Sequence, residues 1–228
     1  MTLKLYYDLM SQPSRSLYIL LKVSKCDFEP KFIDLRKGEH YSNEYAKINR
    51  FQKVPVIDHN GFVLSESVAI LRYLSGENLI PPSLYPKDNQ IRARVDEFLE
   101  WHHIEFRLHL SMYFRVKHMD PIITGIPPNP KTLKGYERRL ISALETFESQ
   151  WLKNGSEFIT GNNITVADLF AASELEQPRM AGYNPAERFL RIGSWWKKVR
   201  EHFSPYYDEG HVILNKIVNK QKQQSSKL

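Results

Sequence analysis

A single cysteine, Cys26, stands in 228 residues. It excludes an internal disulfide framework and a Cys-x-x-Cys redox pair, and it fits a reducing compartment. Long apolar stretches are also missing. The best run, Leu17–Leu21, falls far short of the roughly 20 residues that cross a bilayer. The N-terminus, MTLKLYYDLM, has no secretory-type apolar core, because Asp8 interrupts it. From these gaps we expect a cytoplasmic protein with no membrane partner. The eight histidines show no ligand spacing with cysteine or acid, so no metal is expected. No solenoid period is visible, and no low-complexity tract precedes the last ten residues. With 42% hydrophobic and 25% charged residues, the composition is that of a chain that buries a core, which excludes disorder as its main state.

The net charge is +6 and the isoelectric point is near 9.2. Such a balance invites nucleic acid or a small anion as partner. Lysine and arginine are scattered, however, and alternate with acids through Ile91–Glu105. Only the tail departs from this, where Lys216, Lys220, Lys222 and Lys227 face no acid after Glu209. It reads as a solvated end, and no nucleic-acid partner is expected.

The pattern changes near residue 80. Before it, Leu3–Tyr7 and Phe28–Asp34 read as strands around a helical stretch from Ser14 to Lys25. Val54–Asp58 and Phe62–Ser65 flank His59-Asn60-Gly61, whose Asn-Gly step marks a hairpin turn. A helix from Glu66 to Leu74 follows. Pro81, Pro82 and Pro86 punctuate a linker. Beyond it, Ile91, Val95, Phe98, Leu99, His102, Phe106 and Leu110 repeat at helical spacing, predicting a helix to about His118. After the break at Pro127–Pro130, Leu133, Leu140, Leu144, Phe147 and Trp151 mark a second long helix. Further helices are predicted at Val166–Leu175, Ser194–His202 and Val212–Asn219. The expected organisation is an α/β domain over residues 1–80, a linker over 81–90 and an all-α domain over 91–228.

Within that order, SQPS (11–14) follows the first strand, KVPV (53–56) precedes the hairpin, and SESVAILRYL (65–74) follows it. Together with LYYDLMSQPSRSLYI, IDLRKGEH (33–40) and WHHIEFR (101–107), these motifs resemble the cytosolic glutathione transferases, and most closely their theta class. The resemblance runs from Leu3 to about Lys216. It implies a thioredoxin-like N-terminal domain that binds glutathione, and a helical domain whose Tyr113, Phe114 and C-terminal segment help form an electrophile pocket. It also implies a cytoplasmic homodimer engaged in detoxification, with glutathione as co-substrate and no prosthetic group.

Each residue so singled out also has a plain structural account. Ser11 lies between a strand end and a helix start, where a serine commonly caps the helix. The resemblance makes its hydroxyl a hydrogen-bond donor to the glutathione thiolate. A thiol of pKa ~8.5 is only a few per cent ionised at neutral pH, and a donor plus a helix N-terminus favours the anion. Glu66 and Ser67 open a helix, and a free helix N-terminus is a carboxylate site. By resemblance Ser67 holds the γ-glutamyl carboxylate and Glu66 faces the α-ammonium. A proline at a strand entry is awkward. The resemblance implies a cis Val54–Pro55 bond that turns the Val54 amide and carbonyl toward the cysteinyl part of glutathione. His40 and Lys53, with Gln12 assisting, would reach the glycine carboxylate.

Arg107 shares a helix face with His103 and Glu100, which alone suggests an exposed ion-pair stripe. Theta relatives turn an arginine in this setting toward the leaving group. Ile104 departs from relatives that carry a carboxylate there. Thr165 and Asp168 form a capping box ahead of VADLFAASEL. Trp195 and Trp196, with Phe189 and Leu190, read as packing, and Cys26 as incidental. The expected activity is glutathione conjugation. The alternative is a non-catalytic carrier or assembly module on the same fold.

Overall fold

A computed structural model of the chain describes residues 2–152 and 155–225. These residues form two compact units. One contains the chain up to Tyr85 together with Phe203–Ile213, and the other contains Pro86–His202 and the residues from Leu214 onward. A single boundary over residues 81–90 does not describe this division, because the chain re-enters the first unit at Phe203.

The first unit is built from β1 (Leu3–Tyr7), α1 (Gln12–Val23), β2 (Glu29–Phe32), α2 (Asn43–Ile48), β3 (Val56–His59), β4 (Phe62–Ser65) and α3 (Ser67–Gly76). Its four strands lie in the order β2-β1-β3-β4. β1 and β2 are parallel, which requires a crossover, and α1 supplies it. The other two pairings are antiparallel. Alternation decides the faces of β1: Leu3 and Leu5 are buried, while Lys4 turns out and meets the Asp58 carboxylate at 3.0 Å. At the β3–β4 turn Asn60 and Gly61 both take positive φ, 53° and 89°, as a two-residue hairpin of this twist demands. Leu17, Ile19, Leu20 and Leu21 of α1 and Ile70, Leu71 and Leu74 of α3 are buried.

The second unit begins with α4 (Asn89–Trp101), whose first amides at Gln90 and Ile91 bond the Asp88 carboxylate. The helix continues without a break through a π-helical turn (His102–Phe106), α5 (Arg107–Phe114), a second π turn (Arg115–Met119) and α6 (Asp120–Thr124). It ends at Gly125, φ 71°, beyond the expected His118. α7 (Pro130–Thr146) is capped by Asn129 and runs into a third π turn (Phe147–Trp151). Then come α8 (Val166–Leu175), buried along its whole length, α9 (Pro185–Arg188) and α10 (Leu190–His202). Phe98, Phe106, Phe147, Trp151 and Trp195 form an aromatic core, with the Phe106 and Phe147 rings 4.7 Å apart. Leu190 is an exception to the packing expected around Trp195 and Trp196. It is 79% exposed at the start of α10.

After α10 the chain forms α11 (Tyr206–Gly210) against α1 in the first unit. Here the Tyr18 hydroxyl donates to the Glu209 carboxylate, which also receives Lys22 at 3.4 Å. A Cβ at Gly210 would stand 2.8 Å from the Ile19 side chain, so only glycine lets the two helices approach this closely. The sequence pattern had not suggested α11. The last helix, α12 (Val212–Ser225), buries Leu214 and Val218.

Candidate active site

Strand register brings the expected glutathione residues to one end of the sheet. β1 finishes at Tyr7, opposite Phe32 at the end of β2. Antiparallel β3 starts at Val56 opposite Tyr6, and Ser65, the last residue of β4, also lies opposite Val56. The Asp8–Ser11 turn, the segment 33–40, Val54–Pro55 and Glu66–Ser67 therefore all join the sheet at this end, outside the carboxyl end of β1.

Ser11 is the N-cap of α1, with extended backbone (φ −85°, ψ 126°), and Pro13 follows in the first turn. Its Oγ accepts the Ser14 N–H at 3.4 Å. Capping uses a lone pair, so the hydroxyl proton remains free to donate. The structural and the chemical accounts of Ser11 hold together. Gln12, the next residue, is half-buried.

The Val54–Pro55 peptide is cis. Among the described residues no hydrogen bond takes up the Val54 N–H or C=O. The preceding carbonyl, that of Lys53, is pinned by the Tyr45 hydroxyl at 2.8 Å and by Asn49 Nδ2 at 2.7 Å, while the Lys53 side chain is exposed. α3 opens differently from α1, α2 and α4, each of which has a side-chain cap. Glu66 stands at its cap position with no side-chain hydrogen bond, in a left-handed conformation (φ 70°) that costs a non-glycine residue about 1–3 kcal/mol. Ser67 is buried at the first helical position, and among the described residues no acceptor meets its N–H. His40 is half-buried against Tyr41, and its Nδ1 is buried without a hydrogen-bond partner. Burial pushes its pKa down, and the Asp8 charge partly offsets this.

Two residues that sequence reasoning passed over stand behind Ser11. Asp8 is fully buried; its Oδ1 accepts the Met10 N–H at 2.8 Å and its Oδ2 the Leu35 N–H at 3.0 Å. Its backbone carbonyl accepts the Ser11 N–H at 2.9 Å. Arg15 is also fully buried, and its Nη1 donates to the Leu9 and Met10 carbonyls at 3.0 and 3.2 Å. The available signal was a charge set among apolar neighbours, LYYDLM and SRSLYILL, because a buried charge persists only where it is hydrogen-bonded.

In the helical unit Arg107 is no exposed stripe. Its Nε donates to Glu174 Oε1 at 2.6 Å, and Glu174 is fully buried on α8. Nη1 donates to His103 Nδ1 at 3.1 Å, while the buried Nη2 has no partner. His102 Nε2 lies 3.6 Å from Glu174 Oε1. Ile104 is 66% exposed. Tyr113 and Phe114 are buried, with Lys117 donating to the Tyr113 hydroxyl at 2.8 Å. Asp168 accepts the Thr165 N–H and hydroxyl, the Ile159 N–H and the Trp195 indole N–H. Trp195 thus donates as well as packs. Burial pushes the Cys26 thiol up, away from reactivity. Among the described residues no group of three or more His, Cys, Asp or Glu could hold a metal, and no helix is long and apolar enough to cross a membrane.

A four-stranded mixed sheet with an open helix N-terminus and a cis-proline at one end, followed by a helical unit, defines the glutathione S-transferase fold. Residues 1–76 match the family described as "Glutathione S-transferase, N-terminal domain", and residues 110–202 its C-terminal domain. The chain belongs to the glutathione S-transferase family. It is 37% identical over 222 residues to glutathione S-transferase theta-1 of Bos taurus, covering 97% of this chain and 92% of that protein. The human T1-1 apo structure is 37% identical, with a TM-score of 0.90 over 95% of this chain and 91% of that one. A human theta-class structure in complex with the glutathione conjugate of 1-menaphthyl sulfate is 34% identical, with a TM-score of 0.90 over 99% and 92%.

Proposed function

We propose that this theta-like glutathione S-transferase conjugates glutathione to small electrophiles through a thiolate held by the Ser11 hydroxyl. The convergence of Ser11, Val54 and Ser67 on one end of the sheet carries this reading. Each offers a polar group without a competing partner: a hydroxyl proton, a backbone pair and a helix N-terminus. The Val54 amide and carbonyl pair with the cysteinyl peptide, much as an added strand would. The first turn of α3 and Ser67 receive the γ-glutamyl carboxylate, Glu66 the α-ammonium, and His40, Lys53 and Gln12 the glycine end.

The bound thiol releases its proton, and the sulfur forms a bond to carbon as the bond to the leaving group breaks. The leaving group departs with the electron pair. With an epoxide the ring C–O bond opens and the oxygen takes up a proton instead. Arg107 offers its unpartnered Nη2 to the charge that develops on the leaving group. Tyr113, Phe114 and the C-terminal segment belong to the electrophile subsite. Glutathione is a co-substrate, and the reading requires no prosthetic group. We place the enzyme in the cytoplasm as a homodimer. No observation on the fold favours a carrier without catalysis.

Ser11→Ala should lower turnover by about one to three orders of magnitude while glutathione affinity changes little, because the hydroxyl acts on the thiolate rather than on the rest of the tripeptide. Ultraviolet thiolate absorbance of the bound complex, titrated against pH, checks it. An unchanged thiol pKa in the variant removes the assigned role.

A further inference from the structure

We infer that Asp8 is a positioning residue that ties the thiol end of the glutathione site to its glycine end. This rests on the reading of Ser11 and His40 given above. A fully buried carboxylate in a loop persists only with strong partners. Asp8 has two, and they belong to different segments. One oxygen takes the amide of Met10, the residue before Ser11, and the other takes the amide of Leu35, on the segment that leads to His40. Its carbonyl fixes the Ser11 amide as well.

The same charge lies close enough to His40 to act on that ring, whose Nδ1 is buried and unpartnered. One side chain therefore sets where the Ser11 hydroxyl stands and where the 33–40 segment stands. A small displacement at such a support costs reactivity even though the support never touches substrate.

Asp8→Asn retains the shape but offers one carbonyl oxygen where two acceptors are needed. Its amide nitrogen then faces an N–H donor, so one loop loses its tether. Two readouts test the link, neither of which a merely structural role would move. The thiol pKa of bound glutathione should rise by about one unit, a roughly tenfold loss of thiolate below that pKa. The preference for glutathione over γ-glutamylcysteine, which lacks the glycine, should fall about tenfold, the scale of one charge-assisted hydrogen bond.

A lower melting temperature with both readouts unchanged overturns the proposal, and so does movement of one readout without the other. If Ser11→Ala leaves the thiol pKa unmoved, the underlying reading fails and this inference fails with it. Should Asp8→Asn not fold, hydrogen exchange in the unaltered protein decides the matter. Glutathione must slow exchange at the Met10 and Leu35 amides together, and slowing of only one contradicts the tether.

Discussion

Arg107 and Glu174 are one unit. Burial alone would raise the Glu174 pKa, but the Arg107 charge outweighs it and holds the carboxyl below its ordinary range. Removing one partner of such a buried pair typically costs about 3–5 kcal/mol, because the other charge is stranded. Arg107→Ala should therefore lower the melting temperature markedly. It should also slow halides and sulfate esters more than epoxides, which expel no separate anion. Stability and chemistry separate in the double variant Arg107→Met with Glu174→Leu, where no charge is stranded. Recovery of both stability and halide turnover in that protein would reduce Arg107 to a structural role. Recovery of stability alone supports its action on the leaving group.

His102 adds a pH dependence. Its Nδ1 faces the Leu99 carbonyl at 3.0 Å, so that nitrogen carries the proton of a neutral ring. Burial, reinforced by Arg107, lowers its pKa below the ordinary 6.5. The unfolded chain then takes up a proton that the folded one refuses, and stability falls as pH drops below about 6.5. Glu174, depressed in the fold, contributes above its ordinary value of 4.5 and loses that contribution as pH falls through its folded pKa. Melting curves from pH 8 to 5 should slope downward toward acid, and His102→Gln should flatten the upper part. Parallel slopes in the two proteins would place the proton elsewhere.

Among the elements, α8 depends most on a single residue. The box at Thr165 and Asp168 was legible as T-x-x-D before an apolar run. Its reach to Ile159 and Trp195 was not, since those partners depend on how distant segments fold back. Four donors meet a carboxyl that burial pushes up to about 6. One lost cap costs about 1 kcal/mol, and each buried donor left without an acceptor adds about 1–3 kcal/mol. Asp168→Ala should thus cost about 3 kcal/mol or more in thermal or chemical denaturation, with glutathione affinity retained wherever the protein is folded. A loss near that of one surface cap would show that the indole and Ile159 contacts contribute nothing. The first strand and the Asn60-Gly61 hairpin were readable because alternation and turn chemistry are local. The π turns at His102–Phe106 and Phe147–Trp151 were not, because they leave a helical apolar pattern almost intact. Ser11, Val54 and Ser67 could be singled out as candidates because their motifs sit at element ends. Asp8 and Glu174 escaped because each answers to a partner far along the chain.

For the whole molecule, the second copy is the outstanding expectation. Ile91, Ile104 and Leu108 on the helix over residues 89–124 are 48%, 66% and 46% exposed, and Phe62 and Val63 on the edge strand β4 are 50% and 45% exposed. Apolar side chains in such numbers on one long helix and one sheet edge suit burial against another subunit. Sedimentation at micromolar concentration should give a symmetric dimer. A single species near the chain mass of 26.8 kDa would contradict it.

The contact between Tyr18 and Glu209 spans 191 residues of sequence. On a ribosome that adds about 5–20 residues each second, α1 waits roughly 10–40 seconds for α11 to be made. During that interval the face of α1 around Ile19 lacks the backbone that will cover it. The first unit is therefore closed by a segment made 191 residues after Tyr18, and until then its nascent form presents an uncovered apolar helix face to other chains.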